Sequence, residues 1–159
     1  MSEPANNQIS KTFMDIALEE AREAGNLGEV PVGAVVVLDG RVIAKTGNRT
    51  RSLNDPTAHA ETLAIRMACE NLGQDRLEGC DLYVTLEPCT MCAGTLSHAR
   101  IRRVYFGATD EKGGAVVSGV QFFKAKTCHH APEVYAGIGE SQAAEILRHF
   151  FEAKRLAKS

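Results

Sequence analysis

Several absences set the first bounds. Nowhere do about 18 apolar residues run on without charge, so no membrane-crossing helix is expected. The opening residues, Met1 to Ile9, are polar and hold no basic stretch leading into an apolar one, so no secretory leader is read there. Five cysteines (Cys69, Cys80, Cys89, Cys92 and Cys128) make an odd number, which without a leader argues against a disulfide framework. Internal repeats and low-complexity segments are absent too. The expectation is a cytoplasmic protein whose 159 residues, 44% hydrophobic and 24% charged, form a single domain over 1–159, with 1–9 as a mobile tail.

A large positive charge is also lacking: the net of -2 excludes a uniformly basic nucleic-acid binder. The distribution is uneven. Residues 1–99 carry 8 Lys/Arg against 14 Asp/Glu, a balance of -6, while residues 100–159 carry 10 against 6, a balance of +4. Arg100, Arg102 and Arg103, then Lys112, Lys124 and Lys126, then Lys154, Arg155 and Lys158 make up most of the basic half. Such an asymmetry can attract a polyanion locally, although basic residues most often only solvate a surface.

What is present reads as alternating strands and helices. Thr12 to Ala24 has helical spacing at Phe13, Ile16, Ala17, Ala21 and Ala24, with Thr12 and Asp15 resembling a capping box and Gly25 suited to the stop. Val30 to Leu38 is a buried strand, Asp39-Gly40 a two-residue hairpin turn, and Arg41 to Thr46 its antiparallel partner. The polar stretch Gly47 to Thr57 has the length of a functional loop. A second helix follows, capped either by Asp55 or by Thr57, with Ala60, Leu63, Ala64, Met67 and Ala68 as its apolar face and Asn71-Leu72-Gly73 as its end. Leu82 to Leu86 is a strand, Cys89 to His98 a helix, and Arg103 to Ala108 a strand. Asp110 to Lys126 reads as a glycine-rich loop with a short helical turn, Glu133 to Ile138 as a last strand, and 141–157 as a helix capped by Ser141 with a stripe of Ile146, Leu147, Phe150 and Phe151. Short strand and helix alternation implies parallel pairing, giving an α/β fold with a mixed sheet.

Two thiols three residues apart, Cys89 and Cys92, open the third helix. Unpaired amides at a helix start favour thiolates, so the stretch suits a metal site or a redox site equally. Thr57-Ala58-His59-Ala60-Glu61 starts the preceding helix. Side chains in a first turn lean toward the helix N-terminus, and both helices follow strands of one parallel set, so His59, Glu61, Cys89 and Cys92 can converge at one sheet edge. His, Cys and Cys are three zinc ligands. A catalytic zinc leaves its fourth position to water, whose pKa it brings to about 7, and Glu61 is placed to move that water's proton.

His-x-Glu followed by Pro-Cys-x-x-Cys is the pattern of zinc nucleobase deaminases. Asn-Asp-Pro-Thr-Ala-His-Ala-Glu at 54–61, Leu-Tyr-Val-Thr-Leu-Glu-Pro-Cys-Thr-Met-Cys-Ala-Gly at 82–94 and Val-Tyr-Phe-Gly-Ala-Thr-Asp at 104–110 resemble the bacterial tRNA-specific adenosine deaminases over nearly the whole chain. The resemblance implies a three-layer α/β/α cytidine deaminase-like fold with a mixed five-stranded sheet. It also implies a homodimer converting the wobble adenosine of a tRNA anticodon stem-loop to inosine. His59, Cys89 and Cys92 would then bind one Zn2+ per chain and Glu61 would shuttle protons. Asn48 would hydrogen-bond the flipped base, Val30, Ala58 and Leu86 would line its pocket, and Asp110 and Lys112 would lie beside the RNA backbone. Thr62 and Thr95 depart from the family, standing where an aliphatic or small apolar residue is usual, and are read as bearing on packing.

Blander readings stand beside these. His59 alone is a core histidine, Glu61 alone a first-turn acid, and Asn48 after Gly47 a turn residue. Glu87 before Pro88 reads as structural, accepting backbone donors near the site. Cys128-His129-His130 lacks a further ligand cluster and reads as loop or RNA-facing surface. Cys69 and Cys80 read as small buried or half-buried residues. Phe150 and Phe151 are core by periodicity, with Phe151 also within reach of a substrate base. The rivals are a free-base deaminase acting on guanine or cytosine, a non-catalytic zinc-stabilised RNA-binding module, and a redox protein.

Overall fold

The computed structural model describes residues 12–158; the tail expected over 1–9 lies outside them. Helix α1 spans Phe13–Asn26, strands β1 and β2 Gly33–Leu38 and Arg41–Gly47, and helix α2 Ala60–Leu72. Strand β3 (Asp81–Leu86), helix α3 (Thr90–Ala99) and strand β4 (Arg103–Ala108) follow. A 3-10 turn at Phe122–Lys124, strand β5 (Glu133–Tyr135) and helix α4 (Glu140–Lys158) complete the order.

The strands form one mixed sheet in the order β2-β1-β3-β4-β5. β1 is antiparallel to both its neighbours, while β3, β4 and β5 run parallel. β2 therefore points the same way as β3, and α2 and α3, which follow β2 and β3, start at the same sheet edge.

Both faces of the sheet are covered, which is why β1 is apolar throughout. Ala34 and Val36 join Leu82, Val84, Val104 and Phe106 in the core beneath α2 and α3. Val35 and Val37 point the other way, toward Met14, Ala17 and Leu18 of α1 and Ala143 of α4. Gly33 is a requirement of this contact, because a Cβ there would overlap the Ala17 carbonyl of α1. On the α1 and α4 side, register sets Tyr83, Tyr105 and Tyr135 side by side, stacked at 4.3 and 4.9 Å between ring centres.

Local expectations hold where chemistry is local. Thr12 and Asp15 form both halves of the capping box. Asp39 and Gly40 take φ of 51° and 75°, as a two-residue hairpin of this hand requires. Other boundaries move. α1 passes through Gly25 and ends at Asn26, with Gly28 in the left-handed region. Residues 30–32 precede β1. α4 begins at Glu140, so Ser141 lies inside it. Ile65, not Met67, is buried on α2, and Met67 is exposed. The expected Phe150–Phe151 core is also corrected: Ala143 is the buried residue of α4, Phe150 is half-buried and Phe151 is 44% exposed. The helical period is right, but α4 covers the sheet near its edge, so its later turns leave the core.

Candidate active site

The edge where α2 and α3 begin holds a pocket of about 360 Å3. Val30, Asn48, His59, Glu61, Leu86, Cys89 and Asp110 line it, with Thr50, Glu87 and Gly113 at its sides. Neither expected cap starts a helix here. His59 is the N-cap of α2 and Cys89 the N-cap of α3, and neither side chain makes a capping hydrogen bond. Asp55 instead accepts from the Thr57 amide and hydroxyl, at 2.9 and 2.7 Å. Two helix starts thus forgo a local stabilisation of about 1 kcal/mol each and turn their N-cap side chains toward one another.

His59 Nδ1 lies 3.6 Å from Cys89 Sγ and 3.5 Å from Cys92 Sγ, and all three donor atoms fall within 4.8 Å of one another. With zinc bonds of about 2.0–2.1 Å to nitrogen and about 2.3 Å to sulfur, a tetrahedral face has edges of roughly 3.5–3.8 Å. The donor set fits one face of a zinc tetrahedron. Among the described residues no fourth ligand joins the group. Cys92 is wholly buried, whereas His59 and Cys89 reach the pocket, so the open position faces the cavity. That is the pattern of a catalytic metal, not a closed structural one.

The electrostatics agree. The hydrogen bond from Cys92 holds Cys89 down to about 4 against desolvation, with His59 helping. Cys92, on the other side of that bond and buried, is pushed up. The hydrogen bond with Cys89 raises His59, against burial. A divalent ion bound here would take the place of the proton the sulfurs share. Glu61 is 4% exposed, and burial pushes its carboxyl up to about 7; its own amide, His59 and Cys92 oppose this and Cys89 adds to it. Such a group gives and takes protons near neutrality.

Two buried glutamates hold the loops that wall the pocket. Glu87 Oε1 accepts from the Asp110 amide and the Ser118 hydroxyl, and Oε2 from the amides of Val116, Val117 and Ser118, at 2.9–3.0 Å. This is the structural role expected for Glu87. Burial raises its pKa, but the amides of Asp110, Ser118 and Val116 outweigh that and leave it lowered. Glu29, which sequence reasoning missed, is wholly buried and accepts from the amides of Arg51 and Ser52 at 3.1 and 2.6 Å and from the Ser52 hydroxyl. It thereby fixes the loop that carries Asn48 and Thr50. An acid beside an apolar strand was its only sequence signal.

Other sequence-predicted residues separate. Ala58 is wholly buried behind the wall, and its carbonyl accepts the Arg49 amide at 3.0 Å. Lys112 and Phe151 line a second groove of about 840 Å3 that shares Val30, Leu86 and Asp110 with the pocket. Cys128-His129-His130 is not at the site: Cys128 donates to the His130 carbonyl at 3.1 Å, and His130 Nε2 lies 2.7 Å from the Ile101 carbonyl. The arginine cluster is engaged within the fold. Arg102 is paired with Asp81 at 2.8 Å and Arg103 with Glu133 at 3.3 Å, and Arg100 donates to the Ser97 carbonyl at 3.0 Å. These residues lie at the start of β4, whose far end meets the pocket roughly 17 Å along the strand.

Residues 7–108 match the cytidine and deoxycytidylate deaminase zinc-binding region. The chain is 71% identical over 144 residues to a tRNA-specific adenosine deaminase of Agrobacterium fabrum, covering 91% of this chain and 95% of that one. A solved structure from a study of A-to-I editing by tRNA:A34 deaminases at the wobble position matches with a TM-score of 0.84 at 71% identity, over 85% of this chain and 98% of that one. A guanine deaminase of Bacillus subtilis matches less completely, with a TM-score of 0.59 at 41% identity over 69% of this chain and 66% of that one.

Proposed function

The chain belongs to the tRNA-specific adenosine deaminase family, and from that premise we propose that it hydrolyses the wobble adenosine of a tRNA anticodon to inosine, releasing ammonia. The observation that carries this is the open His59, Cys89 and Cys92 face with the Glu61 carboxyl beside it in one pocket. His59 Nδ1 and the two sulfurs would hold one zinc per chain, which when bound would supply an activated water at neutral pH. Glu61 would take one proton of that water and pass it to the purine ring nitrogen, then take the proton of the new C6 hydroxyl and pass it to the amine, which leaves as ammonia while the C6 carbonyl forms. Asn48 is 7% exposed, and its side-chain amide makes no hydrogen bond among the described residues, so it is available to the base edge. Val30 and Leu86 supply apolar walls, and Glu29 and Glu87 hold the flanking loops.

The adjoining groove favours an RNA substrate over the free-base reading suggested by the guanine deaminase. It gives neighbouring nucleotides a channel past Asp110, Lys112 and Phe151 that a lone base does not need. A homodimer is supported by apolar side chains left exposed on α2, α3 and the loop after β4: Met67, Met91, Val117 and Val120. One sheet carries the whole site, which supports reading 1–159 as one deaminase domain. No described helix is long and apolar enough to cross a membrane, and a tRNA substrate supports a cytoplasmic location.

The test is incubation of the zinc-loaded protein with an anticodon stem-loop carrying adenosine at the wobble position, and with free adenine, guanine and cytidine. Inosine in the RNA is expected. Turnover of a free base alone, or full RNA activity in Glu61→Ala, would sink the proposal.

A further inference from the structure

Thr62 follows Glu61 on α2, and its hydroxyl lies 3.5 Å from Cys92 Sγ. A helical threonine commonly turns its hydroxyl onto the carbonyl four residues back. Thr95 does so, with Oγ1 3.0 Å from the Met91 carbonyl. Thr62 makes no such bond among the described residues. The carbonyl four residues before it, that of Ala58, is taken by the Arg49 amide, and the Thr62 hydroxyl approaches the sulfur instead. Cys92 is wholly buried, so bulk water does not compete for its sulfur. The two positions read from sequence as packing substitutions therefore differ: Thr95 is satisfied within its own helix, and Thr62 bridges two helices to a metal-site sulfur.

We propose that Thr62 is a positioning residue for the metal thiolate, donating its O–H to Cys92 Sγ. The inference rests on the reading that His59, Cys89 and Cys92 hold the zinc. A donor on a ligating thiolate fixes the sulfur's orientation and draws charge from it, and a less charged sulfur leaves the metal a stronger Lewis acid. Cys89 Sγ faces His59 and Cys92 and has no hydroxyl partner among the described residues, so the two thiolates are inequivalent. A purely space-filling Thr62 would act through its methyl and shape, whereas a donor acts through its hydroxyl.

Cobalt-substituted full-length protein separates these roles through the thiolate-to-metal charge-transfer band. Thr62→Val keeps the shape and removes the donor; Thr62→Ser keeps the donor and removes the methyl. The band moves to longer wavelength in Thr62→Val and stays at the wild-type position in Thr62→Ser, because an unbonded thiolate gives up charge more easily. The zinc forms follow the same order, with kcat lowered about tenfold in Thr62→Val and KM unchanged. Superposable wild-type and Thr62→Val bands overturn the inference alone, as does Thr62→Ser shifting like Thr62→Val. If wild-type protein binds cobalt with no thiolate band, the ligand assignment falls and the inference with it. Thr62→Ala offers the same comparison should valine prevent folding.

Discussion

Gly114 lies so close to Glu87 that a Cβ at position 114 would overlap the Glu87 carboxylate, and it would stand 2.6 Å from the Asp110 carbonyl. The carboxylate cannot swing aside cheaply, since five donors from Asp110, Val116, Val117 and Ser118 converge on it. Gly114→Ala is therefore expected to lower stability by about 1–3 kcal/mol, as overpacking does. At this chain length that is roughly 2–4 °C in Tm per kcal/mol. Calorimetry checks it, and an unchanged Tm would mean the loop moves freely. RNA turnover should fall as well, because Asp110 and Gly113 line the pocket.

Glu29 gives a pH signature. Burial raises its pKa, but the Ser52 hydroxyl and the Ser52 and Arg51 amides outweigh burial and hold it below the ordinary 4.5. A lowered folded-state pKa means stabilisation that is complete above the unfolded value and lost as pH falls through the folded one. Glu29→Gln should cost about 1–3 kcal/mol at pH 7, where the gap to wild type is widest. Urea unfolding across the acid range should show that gap closing below pH 4.5. A gap that widens on acidification would contradict the assignment.

Metal content tests the ligand set directly. Cys92→Ser should lose both zinc and activity, since Cys92 Sγ lies 3.5 Å from His59 Nδ1 within the donor group. Cys128→Ser should keep both, because its thiol only donates to the His130 carbonyl and touches Ser97. Full zinc occupancy in Cys92→Ser, by elemental analysis of dialysed protein, would remove Cys92 from the site.

How far the sequence was legible follows the range of the interactions. The hairpin at Asp39-Gly40, the Thr12 capping box and the β4 bounds depend on near neighbours, and all were readable. Cys89 was readable as a helix start, whereas His59 was readable as a member of the cluster but not as the cap of its helix. Asp55 and Thr57 are chemically better caps, and function overrides the local preference. Glu29 was invisible because its partners Arg51 and Ser52 lie more than 20 residues away with no periodic relation to it. The approach of Thr62 to Cys92 was invisible for the same reason: the sulfur belongs to a helix 30 residues on.

The charge asymmetry yields the last prediction. The basic half of the chain includes arginines at the start of β4, but Arg102 and Arg103 are bound to Asp81 and Glu133 at the end of the strands away from the pocket. Lys112, by contrast, is exposed and lines the groove that continues the pocket. Removing a cation that neutralises one phosphate reduces the slope of log affinity against log salt by about 1. Lys112→Ala should therefore flatten the salt dependence of stem-loop binding by about that amount. Arg103→Gln should leave the slope unchanged, losing only a solvent-screened ion pair with Glu133. Fluorescence anisotropy with a labelled stem-loop over a salt series measures both slopes. The reverse outcome, a flattened slope in Arg103→Gln and none in Lys112→Ala, would place the RNA on the opposite edge of the sheet.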